Sequence, residues 1–176
     1  MKKVIGVFAL VIAIICVSFK PAKDKDTVNW IGFKELKAQY AAHPKPILID
    51  MYTSWCGWCK EMDRTTYKNQ KLVDYINDHY YAVRFDAETN EAIEFNGKTY
   101  NYNPRYRAND LAVFLAAEQL EFPTTFFLAE MSSRQSTWSG YMSAKEMEAP
   151  LRYYVEGVRA KMDYETFARG MKKGWK

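Results

Sequence analysis

Ile47-Leu48-Ile49-Asp50-Met51-Tyr52 is a near-continuous apolar run of strand-forming residues, and it limits the fold more than any other stretch of the chain. A strand without apolar/polar alternation has no face to turn to water, so it belongs inside a sheet covered on both sides. The neighbouring pattern supplies the cover. Trp30, Phe33, Leu36 and Tyr40 recur at helical spacing, which predicts an amphipathic helix over 30–42, capped by Thr27 or Asn29 and stopped by His43-Pro44-Lys45-Pro46. After the run, Thr53 to Trp58 reads as a turn. Cys59 to Tyr67 and then Leu72, Val73, Tyr75 and Ile76 read as helix broken near Asn69, and Tyr80 to Asp86 as the next strand. Strand, helix, strand in that order implies a right-handed crossover and a parallel pair.

The pattern is interrupted over 87–121. Glu94 to Tyr100 carries the Asn96-Gly97 signature of a hairpin, Asn101 to Arg107 reads as an aromatic, basic loop, and a helix resumes at Asn109 with Leu111, Phe114, Leu115 and Ala117 or Glu118 on one side. Tyr100, Tyr102 and Tyr106, with Arg105 and Arg107, have too little period to be core alone, which predicts a recognition loop close to Cys56. Arg84, Arg105 and Arg107 themselves read as solvated surface charges. Phe122 to Leu128 is a strand entered through Pro123, with Gln135 to Trp138 as hairpin partner. Ser143 and Glu146 form a capping box for a helix running to about Glu156.

The 176 residues, 48% of them hydrophobic, suit one globular domain plus a leader. The 25 cations and 21 anions are interleaved, so no phosphate-binding stripe emerges and nucleic acid is not an expected partner. A mean hydropathy of −0.40 excludes a polytopic membrane protein. Lys2 and Lys3 ahead of the apolar 4–19 stretch predict an export signal. As a helix that stretch reaches about 24 Å, short of the roughly 30 Å hydrocarbon core, which favours cleavage after Ser18 over a retained anchor at 4–19. Ile15 stands where a lipid-attachment motif wants a small residue before Cys16. The expected organisation is a leader over 1–19, a tether over 20–27, a domain over 28–156 with its insert at 87–121, and a basic helical tail over 157–176. In that tail Tyr164, Phe167, Met171 and Trp175 fall at helical steps, predicting a helix docked on its own domain, with membrane association through the tail or the N-terminus as the alternative.

Without the leader, Cys56 and Cys59 are the remaining cysteines. A bridge between residues three apart closes too little chain entropy to stabilise a fold, so an exported protein that keeps only this pair uses it for chemistry or for a metal. Tetrahedral zinc needs two more ligands, and His43 and His79 fall on a proline-rich loop and a helix end, so neither a metal nor a cofactor is expected. Trp55-Cys56-Gly57-Trp58-Cys59-Lys60 follows a buried strand and opens a helix. There the first sulfur meets free backbone N–H groups and the positive end of the helix dipole, which favour thiolate over thiol. Cys56 is then the nucleophile. Cys59, one turn inside, is shielded and attacks only a mixed disulfide held on Cys56. Asp50, set in an apolar run beside the pair, reads as a desolvated proton acceptor for Cys59.

The stretch Ile47 to Lys60, ILIDMYTSWCGWCK, resembles the active-site strand and turn of thioredoxins, with Asp50 placed six before the first cysteine as their buried acid is. Phe122-Pro123-Thr124 is similar to that family's cis-proline segment, and Gly140 resembles the glycine lining its substrate groove. The likeness spans roughly 28–156 and is nearest to exported bacterial thioredoxin-like proteins and to the periplasmic thioredoxin-like domain of the transmembrane disulfide reductase. It departs from the family at Trp58, where thioredoxin itself commonly has proline, and in the length of 87–121. The resemblance implies an α/β thioredoxin fold with a mixed central sheet flanked by helices, and a thiol-disulfide oxidoreductase acting on disulfide-containing proteins. It implies that Trp55, Gly57, Trp58, Phe122, Pro123 and Gly140 contact the substrate, and that a membrane disulfide reductase supplies electrons. The rival reading is a non-catalytic binding module or metal carrier on the same fold.

Overall fold

The apolar run becomes β2 (Ile47–Tyr52), the middle strand of a five-stranded sheet, with its first five residues buried. The computed structural model describes residues 26–175, so the expectations for 1–19 and for 20–25 lie outside the described residues. β3 (Tyr81–Asp86) lies parallel to β2, and β1 (Trp30–Ile31) lies parallel to β3 at the edge. On the other side β8 (Thr124–Leu128) runs antiparallel to β2, and β9 (Ser136–Ser139) closes the sheet as the hairpin partner of β8. This is the mixed-sheet α/β architecture that the resemblance implied.

Alternation along β2 assigns its side chains to two interiors. Ile47, Ile49 and Met51 join Val83, Phe85, Phe126 and Leu128 on one face, packed with Phe33 and Leu36 of α1 (Phe33–Ala42) and with Leu111 and Leu115 of α4 (Asp110–Leu115). Leu48 faces the other way with Ala82 and Phe127, against Met62 of α2 (Gly57–Arg64), Leu72 and Ile76 of α3 (Gln70–His79), and Met147 and Leu151 of α5 (Ala144–Arg152). Asp50 lies on this second face, two residues on from Leu48.

Several local expectations are corrected. Trp30 and Ile31 belong to a strand, not to the first helix, because their backbone pairs with Ala82 and Val83. Neither Thr27 nor Asn29 caps α1. Its N-cap is Gly32, and Asn29 N–H donates to Asn77 instead. The 101–107 segment is not simply a loop: β6 (Tyr102–Asn103) pairs with β7 (Ala108–Asn109), following the Asn96-Gly97 hairpin of β4 (Ile93–Phe95) and β5 (Lys98–Tyr100). Tyr100 is buried core rather than recognition surface. Ala117 and Glu118 take left-handed φ of 48° and 67° beyond the end of α4, so they are not on a helix face.

The capping box forms as read: Ser143 Oγ accepts from Glu146 N–H while the Glu146 carboxylate accepts from Ser143 N–H. Pro150 removes one donor inside α5, and the helix continues as a wide π turn over Tyr153–Gly157. Gly157 has no room for a side chain, since a Cβ there would stand 2.4 Å from the Tyr153 ring. The tail then folds back. In α6 (Tyr164–Gly170) Phe167 is buried, with its ring centroid 5.7 Å from that of Tyr153, and Trp175 is buried against Tyr75. The tail is held by a buried carboxylate, Glu148, which accepts from the backbone N–H of Gly174 (2.8 Å) and of Trp175 (2.9 Å). Among the described residues no helix is long and apolar enough to cross a membrane.

Truncation after residue 158 removes the partners of both Glu148 and Tyr153. It should lower stability by about 3 kcal/mol or more, the scale of a lost core aromatic, read as a fall in the urea midpoint. An unchanged midpoint would mean that the tail is not part of the fold.

Candidate active site

β2 ends at Tyr52, and the chain turns through Thr53 into Cys56, the N-cap of α2. Cys56 N–H donates to the Thr53 carbonyl at 3.2 Å, closing the turn. Cys56 and Cys59 are joined in a disulfide with a Cα–Cα distance of 5.3 Å. Cys56 Sγ also accepts from Cys59 N–H at 3.0 Å, taking the capping position that an oxygen usually fills. Both cysteines are buried, at 4% and 3% exposure, while the flanking Trp55 and Trp58 are 64% and 63% exposed. The sulfurs therefore sit at the floor of a groove between two aromatic walls.

Each wall is held from a distant part of the chain. Trp55 Nε1 donates to Glu88 Oε1 at 3.0 Å, and its ring stands edge-on to Phe122 with centroids 5.7 Å apart. Trp58 lies against Tyr141 at 5.7 Å, and the Tyr141 and Thr65 hydroxyls are 3.1 Å apart. The Phe122–Pro123 peptide bond is cis, and the Pro123 carbonyl accepts from Gly140 N–H at 2.7 Å. Gly140 has φ +90°, a conformation that favours glycine. The fold thus gathers Trp55, Gly57, Trp58, Phe122, Pro123 and Gly140 around the turn.

Asp50 is 1% exposed. Its Oδ2 pairs with Arg84 at 2.8 Å, while Oδ1 has no hydrogen-bond partner. Arg84 faces Asp50 directly across the β2–β3 pairing and turns its fork to Asp63 as well, donating to Oδ1 at 2.5 Å and Oδ2 at 2.8 Å. Its guanidinium also lies 4.4 Å from the Tyr52 ring centroid and 5.3 Å from that of Trp30. Asp63 is one helical turn beyond Cys59, on the same side of α2. The Arg84 that fixes Asp50 is therefore clamped beneath the helix face carrying Cys59.

Burial pushes the Asp50 pKa up to about 6, opposed by Arg84 and by the neighbouring Tyr67 hydroxyl and reinforced by Asp63. Tyr67 is itself buried, and burial together with the Asp50 charge holds its hydroxyl protonated. The arrangement is a carboxyl group with one anchored oxygen and one open oxygen, able to take up and release a proton near neutrality.

The reading of Arg84 as a solvated surface charge is corrected, because its side chain is only 19% exposed and bridges two carboxylates. The signal was present as a cation at an alternating position in the otherwise apolar Tyr81-Ala82-Val83-Arg84-Phe85, but its partner is set by strand register. Asp63, Tyr67, Glu88 and Tyr141 were missed too. Only Asp63 had a local cue, its spacing of one turn from Cys59.

A family model described as a thioredoxin-like domain matches residues 33–155. The chain is 30% identical over 71 residues to the thiol:disulfide interchange protein DsbD of Campylobacter jejuni, covering 40% of this chain and 12% of that protein. With the DsbD of Pectobacterium atrosepticum it shares 21% identity over 166 residues, 85% of this chain and 26% of that one. It thus spans about an eighth to a quarter of the length of these relatives. Among solved structures, a thioredoxin-fold protein from Helicobacter pylori superposes with a TM-score of 0.56 at 15% identity, over 72% of this chain and 83% of that chain, a likeness of fold.

The raised pKa of Asp50 makes a thermodynamic prediction. The folded protein holds a proton on Asp50 that the unfolded chain has released, so stability falls as pH rises from about 4 through about 6 and stays lower above. The cost at neutral pH is roughly 3 kcal/mol. In urea unfolding of the oxidised protein, Asp50→Asn should therefore be more stable than wild type by about 2–3 kcal/mol at pH 7.5, with the difference gone by about pH 4. A variant that is equally stable at both pH values would contradict the burial account.

Proposed function

The chain belongs to the thioredoxin-like domain family, and from that membership we propose that it is an exported thiol-disulfide oxidoreductase working in the reducing direction on protein disulfides. The observation that carries this reading is the recessed Cys56–Cys59 disulfide at the start of α2, flanked by exposed tryptophans, with Asp50 buried under the same helix. In the dithiol form, Cys59 N–H and the helix N-terminus favour a thiolate at Cys56. That thiolate attacks one sulfur of the substrate disulfide, forming a mixed disulfide and releasing the first substrate thiolate. Cys59 gives its proton to Asp50 and attacks Cys56 Sγ, which expels the second substrate thiolate. Two electrons pass from the protein dithiol to the substrate, and the Cys56–Cys59 bond is restored.

The reducing direction is supported by what surrounds the thiolate. Beyond the helix N-terminus there is no His between the cysteines and only Lys60 just after them, so the dithiol is not stabilised as a strong oxidase requires. The buried acid, coupled to α2 through Arg84 and Asp63, serves in this reading the step that expels reduced substrate. An electron donor is then needed, and a membrane disulfide reductase fits an oxidising compartment. Export rests on the apolar 4–19 stretch preceded by two lysines.

In an insulin assay with dithiothreitol, Cys56→Ser should lose all activity above background, while Cys59→Ser should accumulate a mixed disulfide with the substrate. A Cys56→Ser variant as active as wild type would overturn the reading. Equilibration with a glutathione redox buffer tests the direction. The expected potential lies nearer about −270 mV than the roughly −120 mV of a strong oxidase, and a dithiol already mostly formed in mildly reducing glutathione would reverse the assignment.

A further inference from the structure

Against Trp55 and Phe122 lies a cavity of about 340 Å³, lined also by Leu120, Tyr106, Arg107 and Glu88. Trp55 is bonded to Cys56, and Phe122 precedes the cis proline, so two of its walls are also walls of the redox groove. The others come from the insert. Tyr106 and Arg107 sit in the turn of the β6–β7 hairpin, with Arg107 at φ +54°, and the Tyr106 hydroxyl donates to Glu118 at 3.2 Å. The hairpin is fixed by Asn109, fully buried, whose N–H donates to the Ala87 carbonyl at 2.7 Å and whose Nδ2 donates to the Glu91 carbonyl at 3.0 Å. Trp55 is likewise tethered through Glu88, despite its exposure. A pocket built from four separate segments and anchored on a buried side chain is a preformed feature, not a gap between mobile loops.

Resting on the disulfide-exchange reading, the geometry points to a specificity subsite: the insert supplies a pocket for one aromatic side chain of the substrate, carried beside its disulfide cysteine on an extended segment. The recessed sulfurs demand such a segment, because a flat protein surface would rest on Trp55 and Trp58 without reaching them. A chain that delivers a sulfur to Cys56 carries its neighbouring side chains roughly 3–7 Å away along the strand, within reach of the adjoining pocket. The volume is at the small end of the roughly 300–1,000 Å³ of ligand pockets, right for one large side chain. The walls select its chemistry. Three rings and a leucine offer stacking and apolar contact. The two charged groups are of opposite sign, and Glu88 has one oxygen occupied by Trp55, so neither a cation nor an anion is preferred.

The test uses the full chain and extended peptides bearing one disulfide, with Phe, Lys, Asp or Gly next to the cysteine. Two constants are measured for each: the second-order rate of reduction by the dithiol protein, and the Kd of the serine-for-cysteine analogue from tryptophan fluorescence. The Phe peptide should be reduced about tenfold faster than the Gly peptide, and its serine analogue should bind with an about tenfold lower Kd, equivalent to about 1.4 kcal/mol. The ratio should fall towards one in Tyr106→Ala, which opens the pocket, and in Leu120→Trp, which fills it from another wall. Equal constants for all four peptides, a preference for Lys or Asp, or an aromatic preference untouched by either variant would overturn the subsite. Aromatic-selective binding of the serine analogues without reduction of any disulfide would support the subsite and refute the redox reading.

Discussion

A carboxyl group placed in an apolar interior must be compensated or neutralised, and the way Asp50 meets that demand organises the site. Its neighbours along β2 are all buried, so the strand cannot turn it to water without exposing Leu48. Arg84 compensates one oxygen from the next strand, and Asp63 and two aromatic rings hold Arg84 in place. The compensation is incomplete, since burial outweighs the arginine and the Tyr67 hydroxyl beside it. That imbalance converts a structural carboxylate into one that exchanges a proton near neutral pH. A fully paired Asp50 would be inert, and an exposed one would titrate too low to act as a base.

The same packing ties the acid to the sulfurs. α2 presents Cys59 and Met62 inward, and Asp63 reaches the arginine from the next position, so helix, strand and disulfide share one set of contacts. Cys56 caps that helix with its sulfur. The groove above is assembled from elsewhere: Trp55 is positioned by Glu88 and Phe122, and Trp58 by Tyr141. On the proposed function, chemistry rests on the rigid sheet and helix and recognition on loops that the sheet brings together.

What could be read in the sequence follows from how local each signal is. The burial of β2, the cysteine pair at a helix start, the Asn96-Gly97 turn and the Ser143–Glu146 capping box all depend on residues a few positions apart, and each left a local pattern. Trp30 and Ile31 misled because an aromatic at helical spacing from Phe33 looks like a helix face, whereas pairing with Ala82 and Val83 decides its conformation. Arg84 misled for a related reason: a charge in a strand is ordinary on a solvated face, and only register puts it opposite Asp50. The insert was legible as an interruption but not as a structure. Its two-residue strands are fixed by Asn109, whose partners Ala87 and Glu91 lie some twenty residues back.

The titration of Asp50 itself tests this account most directly. Carboxyl carbon chemical shifts of the isotopically labelled protein, followed from pH 3 to 9 in the oxidised and reduced forms, report its protonation without relying on turnover. The account predicts an inflection near pH 6 in the disulfide form and a displaced inflection in the dithiol form, because Asp50 then shares a proton with Cys59. An inflection near pH 4 that is the same in both forms would contradict it.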